Sequence, residues 1–385
     1  MKILGLQLTK NKSNTTTDAG SMMFSTPLMD IGGGDLSLPY INSTYTTNNY
    51  VMFGVDNLYP QLLIQLYLQS AMHGSCIDFI SQSLIGGGYT WDNYDKLTAS
   101  EIVDIKTFEK KSRFKQLVKS ITKDWTIHRR VVIEVIVKDK KVSNIKRIDP
   151  SKIRNNKDKS IFIYSDDWSM GLVSTKEFKK YHIGVKDGSY ILYFEDETPG
   201  QDIYPIPSYN SILNWAYLDS EQSFFHKSNL QNGIFPSLAI RRPKNFSSLE
   251  EVKRFKEEIS LKTGAGNAGK VLVLTGNGFD DTPTIEGISS NNNDTMFTET
   301  SKEIKENICI AHKINPSIMG VKVSGQLGNT TEIKDSYVIF EKNVVMPERE
   351  TLEYIFNEII EVYGIKTTLT INNYQIIDNQ IEEIK

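Results

Sequence analysis

Two long helical patterns that flank a short segment with strand character constrain the fold most. Pro205 and Pro207 introduce the first pattern, which runs to Gly233, and Asp294 begins the second, which ends before Pro316. Proline suits the first turn of a helix, and glycine is favoured just after the last one. We therefore expect the chain to leave a body on one helix, form a small module and return on another helix.

The segment between these patterns predicts a module of strand, helix and strand. Residues 234–240 favour a strand, Ser247 or Ser248 caps a helix, and residues 271–274 favour a second strand. A helical stalk of this kind exposes much apolar surface for its volume. We infer that it packs against copies of itself.

The first half of the chain predicts a mixture of helices and strands. Residues 58–84 and 108–129 carry apolar residues at helical spacing. β-branched residues then predict a strand at 131–137, and further strands are predicted at 142–148, 161–164 and 190–194. The fold class is therefore α+β.

A loop with three glycines and a long helix follow the returning helix. The helical pattern covers 331–363 and contains Pro347, which lacks a backbone N–H and must kink or break the helix. Gly364 stops this helix, and residues 366–371 alternate like a final strand.

Composition excludes several classes of protein. Lys and Arg number 44 against 47 Asp and Glu, a formal net charge of −3, whereas a tight nucleic-acid binder is strongly basic. Glutamines interrupt the most apolar stretch, 58–72, so we expect no membrane partner. Residues 10–50 are rich in Asn, Ser, Thr and Gly, which predicts a flexible N-terminal arm at 1–50.

Catalytic and metal-binding motifs are not evident. Cys76 and Cys309 lie far apart in sequence, which indicates buried free thiols rather than a disulfide or a thiolate metal site. No two of the five histidines lie within five residues of each other, so no metal-binding pair stands at helical spacing. We therefore predict no metal, no cofactor and no enzymatic activity.

The glycine-rich run 264–270 matches the spacing of a dinucleotide-binding fingerprint. Such a fingerprint follows a strand and opens a helix, but here a predicted helix precedes the run and a strand follows it. A phosphate loop also requires Ser or Thr after the lysine, and Val271 follows Lys270. The run is better interpreted as a turn that ends a helix.

Several segments occur in a characteristic order: 232–237, 264–274, 311–320 and 325–330, with the strand pair 131–148 and Asp149-Pro150-Ser151 before them. This order resembles the portal proteins of tailed bacteriophages, in particular the lambdoid-like group with short subunits, over about 58–371. One departure is His128-Arg129-Arg130, where relatives often place small residues.

The resemblance implies the portal fold, with a small α/β clip and a minimal or absent crown. Its parts are a flexible arm at 1–50, a wing at 51–206, a first stem helix at 207–233, a clip at 234–287, a second stem helix at 288–316, a tunnel loop at 317–330, a kinked tunnel helix at 331–363, and a C-terminal wing strand and tail at 364–385.

The resemblance also implies roles for individual residues. Polar side chains of the tunnel loop are expected to face double-stranded DNA: Lys322, Ser324, Gln326 and Asn329. On the second stem helix, Lys302 and Lys305 are expected to line the channel. Basic residues of the clip are expected to dock partners: Arg241, Arg242 and Lys244.

The function implied is a ring, usually a dodecamer, at one capsid vertex, through which the genome is packaged and ejected. Expected partners are further copies of the chain, double-stranded DNA, the large terminase, the head–tail adaptor and the major capsid protein, with a scaffold protein as a further candidate. The ring would reside in the virion and, during assembly, in the host cytoplasm. Another head–tail connector, a minor head protein or a nucleotide-dependent enzyme at 264–270 remain as alternatives.

Overall fold

Along the chain, helices both precede and follow the strands of the main sheet. The computed structural model describes residues 46, 47, 50–169, 175–232, 238–241, 248–250, 253, 254, 284–287, 293–321 and 330–373. The helices of these residues are α1 Tyr59–Gln69, α2 Ala71–Ile85, α3 Ala99–Ser112, α4 Phe114–His128, α5 Leu213–Asn232, α6 Asn293–Ala311, α7 Thr330–Phe340 and α8 Met346–Tyr363. The strands are β1 Thr46–Thr47, β2 Tyr50–Val51, β3 Tyr89–Trp91, β4 Arg130–Lys138, β5 Lys141–Ile148, β6 Ile153–Asn155, β7 Ile161–Ser165, β8 Thr175–Lys180, β9 Gly188–Glu195, β10 Leu238–Arg241, β11 Thr284–Gly287 and β12 Leu369–Ile371.

Six strands form the main sheet, in the order β5-β4-β9-β8-β7-β6. All neighbours are antiparallel except β8 and β9. β4 is buried along most of its length and packs against α4, which fixes this helix on the sheet. The predicted strands β4, β5, β7 and β9 are confirmed. β6 and β8 were not predicted, because β6 is very short and β8 carries three lysines among six residues.

The helix predicted at 58–84 is two helices, so that prediction was wrong. The chain breaks at Ser70, whose backbone is extended. The Ser70 hydroxyl accepts a hydrogen bond from His73 N and donates one to the Asp219 carboxylate on α5, at 2.7 Å. The contact that stabilises this break comes from α5, which is distant in sequence. The residues around Ser70 alone therefore do not reveal the break.

The helix predicted at 108–129 is likewise the second part of a longer segment. α3 already begins at Ala99, because Thr98 and Glu101 form a capping box. Arg113 adopts a left-handed conformation with φ +51° and separates α3 from α4. The prediction missed the Thr98 start signal and the reversal at Arg113.

The helix predicted at 331–363 is not broken at Pro347, but it is irregular just before that residue. A π-helical segment, Glu341–Val345, joins α7 to α8, and Pro347 occupies the first turn of α8. Proline lacks the N–H that would bond four residues back, so the wider π turn just before it absorbs the interruption. Gly364 ends α8 in the left-handed conformation, as predicted.

The segment that follows α2 contacts the last described residues of the chain. β12 pairs with β3, and Gly87 N donates to Asn372 O at 2.8 Å. Gly86 has φ +55°, and a Cβ there would lie 2.2 Å from Asn372 O, so this close approach requires glycine.

Arg349 of α8 holds this region together. Its buried guanidinium donates to the carbonyl oxygens of Ser83 and Leu84 at the end of α2, and to the Glu341 carboxylate at 2.9 Å. A cation suits the carbonyl end of a helix, and the ion pair spans the π segment. Arg349 thus ties α2, the π segment and α8 to one another.

None of the helices in the described part of the chain is both long and apolar enough to cross a membrane.

We predict that Arg349→Met lowers the free energy of unfolding by about 3–5 kcal/mol, because a largely buried carboxylate and two helix-end carbonyls lose their partner. Urea unfolding measures the change. The control is Glu350→Gln on the exposed side of the same helix, which should change stability by no more than about 0.5 kcal/mol. A loss as small as that of the control would contradict the role of Arg349.

Candidate functional site

α5 and α6 form the stalk, and the main sheet with α1–α4 forms the body. Each stalk helix is anchored in the body at one end. The first turns of α5 bury Leu213 and Ala216, and the last turns of α6 bury Ile304 and Ile308. The two helices pack against each other, and α6 also packs against α2. α5 leads towards β10, and α6 follows β11, which pairs antiparallel with β10. The order of helix, module and helix agrees with the sequence prediction. The predicted second strand of the module, 271–274, lies outside the described residues, and β11 was not predicted.

A pair of buried histidines lies where α6 meets the body. His73 Nδ1 of α2 is 2.9 Å from Nε2 of His312, which directly follows α6. The Tyr209 ring packs on both imidazoles, with centroid distances of 5.0 and 5.1 Å, and its hydroxyl donates to Ile127 O at 2.6 Å. This cluster joins α2, α4 and α6 through the segment that precedes α5.

Both histidines are neutral at physiological pH. Burial lowers the pKa of His73 to about 4, although the Asp219 carboxylate acts in the opposite direction. Burial, together with the charges of His73 and Arg129, lowers the pKa of His312 to about 3. One imidazole therefore donates the shared hydrogen bond and the other accepts it.

The two cysteines meet one helical turn from the histidines. Cys76 on α2 and Cys309 on α6 are both fully buried, and their thiols are close enough to shift each other's pKa, upwards for Cys76 and downwards for Cys309. The predicted burial of both thiols is confirmed. Sequence spacing did not predict their contact. The available signal was the mirrored spacing of His73-x-x-Cys76 and Cys309-x-x-His312.

A cavity of about 220 Å³ lies beside the histidine pair and is lined by residues of α2, α4, α8 and the π segment. Arg129 forms an ion pair with Glu348 at its wall, and the Trp125 indole donates to the same carboxylate at 2.8 Å. Burial raises the pKa of Glu348, but Arg129 and Trp125 lower it overall. Among the described residues, no group of three or more His, Cys, Asp or Glu side chains could hold a metal ion.

Several large apolar side chains remain exposed on the helices at this end of the molecule. Ile310 on α6 is 65% exposed and Ile339 on α7 is 59% exposed. Further exposed apolar residues on α7 and α8 are Ile333, Val338, Met346 and Tyr354. The described residues of a single chain leave these side chains uncovered.

The residues predicted to line a channel or to dock partners are described only in part. Lys302 and Lys305 lie on α6, where Lys305 is exposed and Lys302 forms an ion pair with Glu306 at 3.7 Å. The backbone of Arg241 belongs to β10, opposite Thr284. The other predicted site residues lie outside the described residues: Arg242, Lys244, Lys322, Ser324, Gln326 and Asn329. The glycine-rich run 264–270 and most of the predicted arm at 1–50 also lie outside them.

The model of the family described as "Phage portal protein" matches residues 98–360, which is more than half of the chain. The chain belongs to the phage portal protein family. It is therefore a structural protein of a phage or phage-like particle, and the resemblance stated from the sequence is confirmed.

A curated relative carries the same family name. The "Probable portal protein" of Escherichia phage P2 is 21% identical over 155 residues, which are 40% of this chain and 45% of the relative. The match thus spans less than half of the relative's length.

Solved structures from gene transfer agent particles have a similar fold. The neck of an empty particle, computed with C6 symmetry, contains a chain with a TM-score of 0.56 and 15% identity; the match covers 83% of this chain and 85% of that chain. A chain of the native virion has a TM-score of 0.55 and 15% identity, with 82% and 84% covered. A chain of the native neck, computed with C12 symmetry, has a TM-score of 0.53 and 14% identity, with 81% and 84% covered. These likenesses and the mixed helices and sheet agree with the predicted α+β class.

The histidine pair predicts that this portal protein loses stability in mild acid. The unfolded chain takes up protons on both histidines near pH 6.5, whereas the folded chain does so only near their pKa values of about 4 and about 3. The stabilisation is therefore present above pH 6.5 and is lost as the pH falls towards 4. The slope is at most about 1.4 kcal/mol per pH unit for each histidine.

Urea unfolding between pH 7 and about pH 4.5 measures this dependence. The double variant His73→Leu, His312→Leu should show a shallower slope than the wild type, and the exposed-site control His182→Leu should keep the wild-type slope. An unchanged slope in the double variant would show that other groups cause the acid sensitivity.

Proposed function

We propose that the protein forms a ring at one vertex of a phage or phage-like particle, and that the ring is the channel for genome packaging and ejection. The observation that carries this proposal is the set of exposed apolar side chains on α6, α7 and α8, of which Ile310 and Ile339 are among the most exposed. Neighbouring copies in a closed ring would cover this surface. The C6 and C12 symmetries of the similar gene transfer agent necks support a dodecamer.

The domain assignment follows from the order of the elements. We assign the main sheet and α1–α4 to the wing (51–206), together with the C-terminal strand β12 and tail (364–385). α5 and α6 correspond to the stem helices (207–233 and 288–316), because they flank the β10–β11 pair of the clip (234–287). We assign 317–330 to the tunnel loop and 1–50 to the arm.

The tunnel helix (331–363) corresponds to α7, the π segment and α8. The π segment and Pro347 divide it into two parts, and Arg349 fastens the second part to α2. α8 then stays on the body, whereas α7, which follows the loop, contacts its surroundings through Ser336 and Phe340. This arrangement supports a kinked helix that carries a loop into a channel.

Contacts with DNA in such a channel should be weak and dispersed, because each phosphate contact adds affinity through counterion release. A net charge of −3 suits a duplex that must slide. Lys302 is already paired with Glu306, so α6 offers DNA few free cations. We assign the loop residues Lys322, Ser324, Gln326 and Asn329 to the DNA-facing surface.

The partners follow from the same placement. The clip residues Arg241, Arg242 and Lys244 would dock the large terminase during packaging and the head–tail adaptor afterwards. The wing would face the major capsid protein and, during assembly in the host cytoplasm, a scaffold protein. The ring would need no cofactor and catalyse no reaction, since the terminase would supply the energy.

The first test concerns the exposed apolar surface. Ile310→Asp and Ile339→Asp should each reduce the ring fraction at micromolar concentration at least about tenfold, because an unpaired buried carboxylate costs more than about 1.4 kcal/mol. Native mass spectrometry and light scattering measure the oligomer. Ile183→Asp is the matched control, because Ile183 is 92% exposed in the loop between β8 and β9. Intact rings from both variants would place the subunit contacts elsewhere.

The second test concerns the loop. Deletion of residues 323–328, or Lys322→Glu, should leave the ring intact but reduce the DNA retained per head, because phosphate contacts are lost or become repulsive. In vivo complementation with DNA measured per head reports the effect. Lys186→Glu, an exposed wing lysine, is the control. Full, stable heads from the deletion variant would reduce the loop to a simple connection.

A further inference from the structure

The side chains of α2 and α6 meet in two matched contacts. His73 faces His312, and one turn away Cys76 faces Cys309. The lower number on one helix faces the higher number on the other, so the helices run in opposite directions here. The histidine hydrogen bond of 2.9 Å fixes their register independently of the thiols. The two thiols are therefore held opposite each other by the packing of the helices.

The thiols are also chemically unlike each other. The neighbouring Cys76 thiol holds the pKa of Cys309 below its ordinary value, whereas the Cys309 thiol and burial raise the pKa of Cys76. Cys309 is thus the more easily formed thiolate, which is the reactive species in thiol–disulfide exchange. Because no group of three metal ligands is found among the described residues, the pair favours a disulfide over a metal site.

We propose that Cys76 and Cys309 form a disulfide that joins α2 to α6 when the protein meets a disulfide oxidant. Oxidised glutathione serves as the model oxidant. The Cys309 thiolate attacks one of its sulfurs and releases one glutathione thiolate. Cys76 then attacks the Cys309 sulfur of the mixed disulfide and releases the second. The two protein thiols lose two electrons and two protons, and one oxidised glutathione becomes two reduced ones.

The disulfide acts on the attachment of α6 to the body. α6 contacts the body mainly through α2 and the short helix that contains Tyr209. A covalent bond at Cys309 would prevent the end of α6 from separating from α2, and it would close a long loop of chain that includes all of the main sheet. Both sulfurs are fully buried, so exchange requires a transient opening of the α2–α6 contact.

The experiment compares folded and unfolded protein in the same glutathione buffers. The full chain is equilibrated at a series of oxidised-to-reduced ratios, with and without denaturing urea, starting from both reduced and oxidised material because burial slows exchange. Alkylation and mass spectrometry measure the fraction with an intramolecular disulfide. The equilibrium constant should be at least about a hundredfold larger in the folded protein.

Two single variants complete the test. Cys76→Ala and Cys309→Ala should form no intramolecular disulfide, and oxidation should raise the thermal midpoint of the wild type but not theirs. Equal equilibrium constants with and without urea would overturn the proposal. Cross-links between subunits, seen as dimers on a non-reducing gel, would also overturn it, since they would show that each thiol pairs outside its own chain.

Discussion

A single carboxylate, that of Asp219, determines how the stalk meets the body. It accepts hydrogen bonds from the Ser70 hydroxyl and from Met72 N, at 2.7 and 3.1 Å. The first N–H groups of a helix have no partner within it, and a carboxylate there satisfies one and complements the helix dipole. The contact fixes α5 against the start of α2. α2 in turn presents His73 and Cys76 to α6, so both long helices take their positions from this junction.

The body and the stalk differ in how they bury apolar surface. The main sheet and α1–α4 form cores of their own. Arg130, which belongs to the segment His128-Arg129-Arg130 that departs from the family pattern, is fully buried over the rings of Phe53 and Tyr204. α6 and α7 instead leave isoleucines exposed, and α8 leaves Met346 and Tyr354 exposed. A narrow helical layer has too little neighbouring chain to cover both of its sides. In the proposed ring, neighbouring copies would cover these side chains.

Much of the secondary structure could be predicted from local sequence. β4, β5, β7 and β9 followed from β-branched residues, and Gly364 ended α8 at the predicted position. The breaks at Ser70 and Arg113 could not be predicted in this way, because a helical apolar pattern continues through both. At Ser70 the deciding contact comes from Asp219, far along the chain. Local propensity is a weak prior that such contacts override.

The sequence by itself determined the fold class, the order of helix, module and helix, and the membership of the portal family, because these depend on periodicity and on motif order along the chain. Only the tertiary structure decided which side chains meet. It brought His73 to His312 and Cys76 to Cys309, and it replaced a break at Pro347 with a π segment held by Arg349. Distances between residues remote in sequence depend on how helices pack, and the mirrored spacing of His73-x-x-Cys76 and Cys309-x-x-His312 does not by itself show that the two motifs face each other.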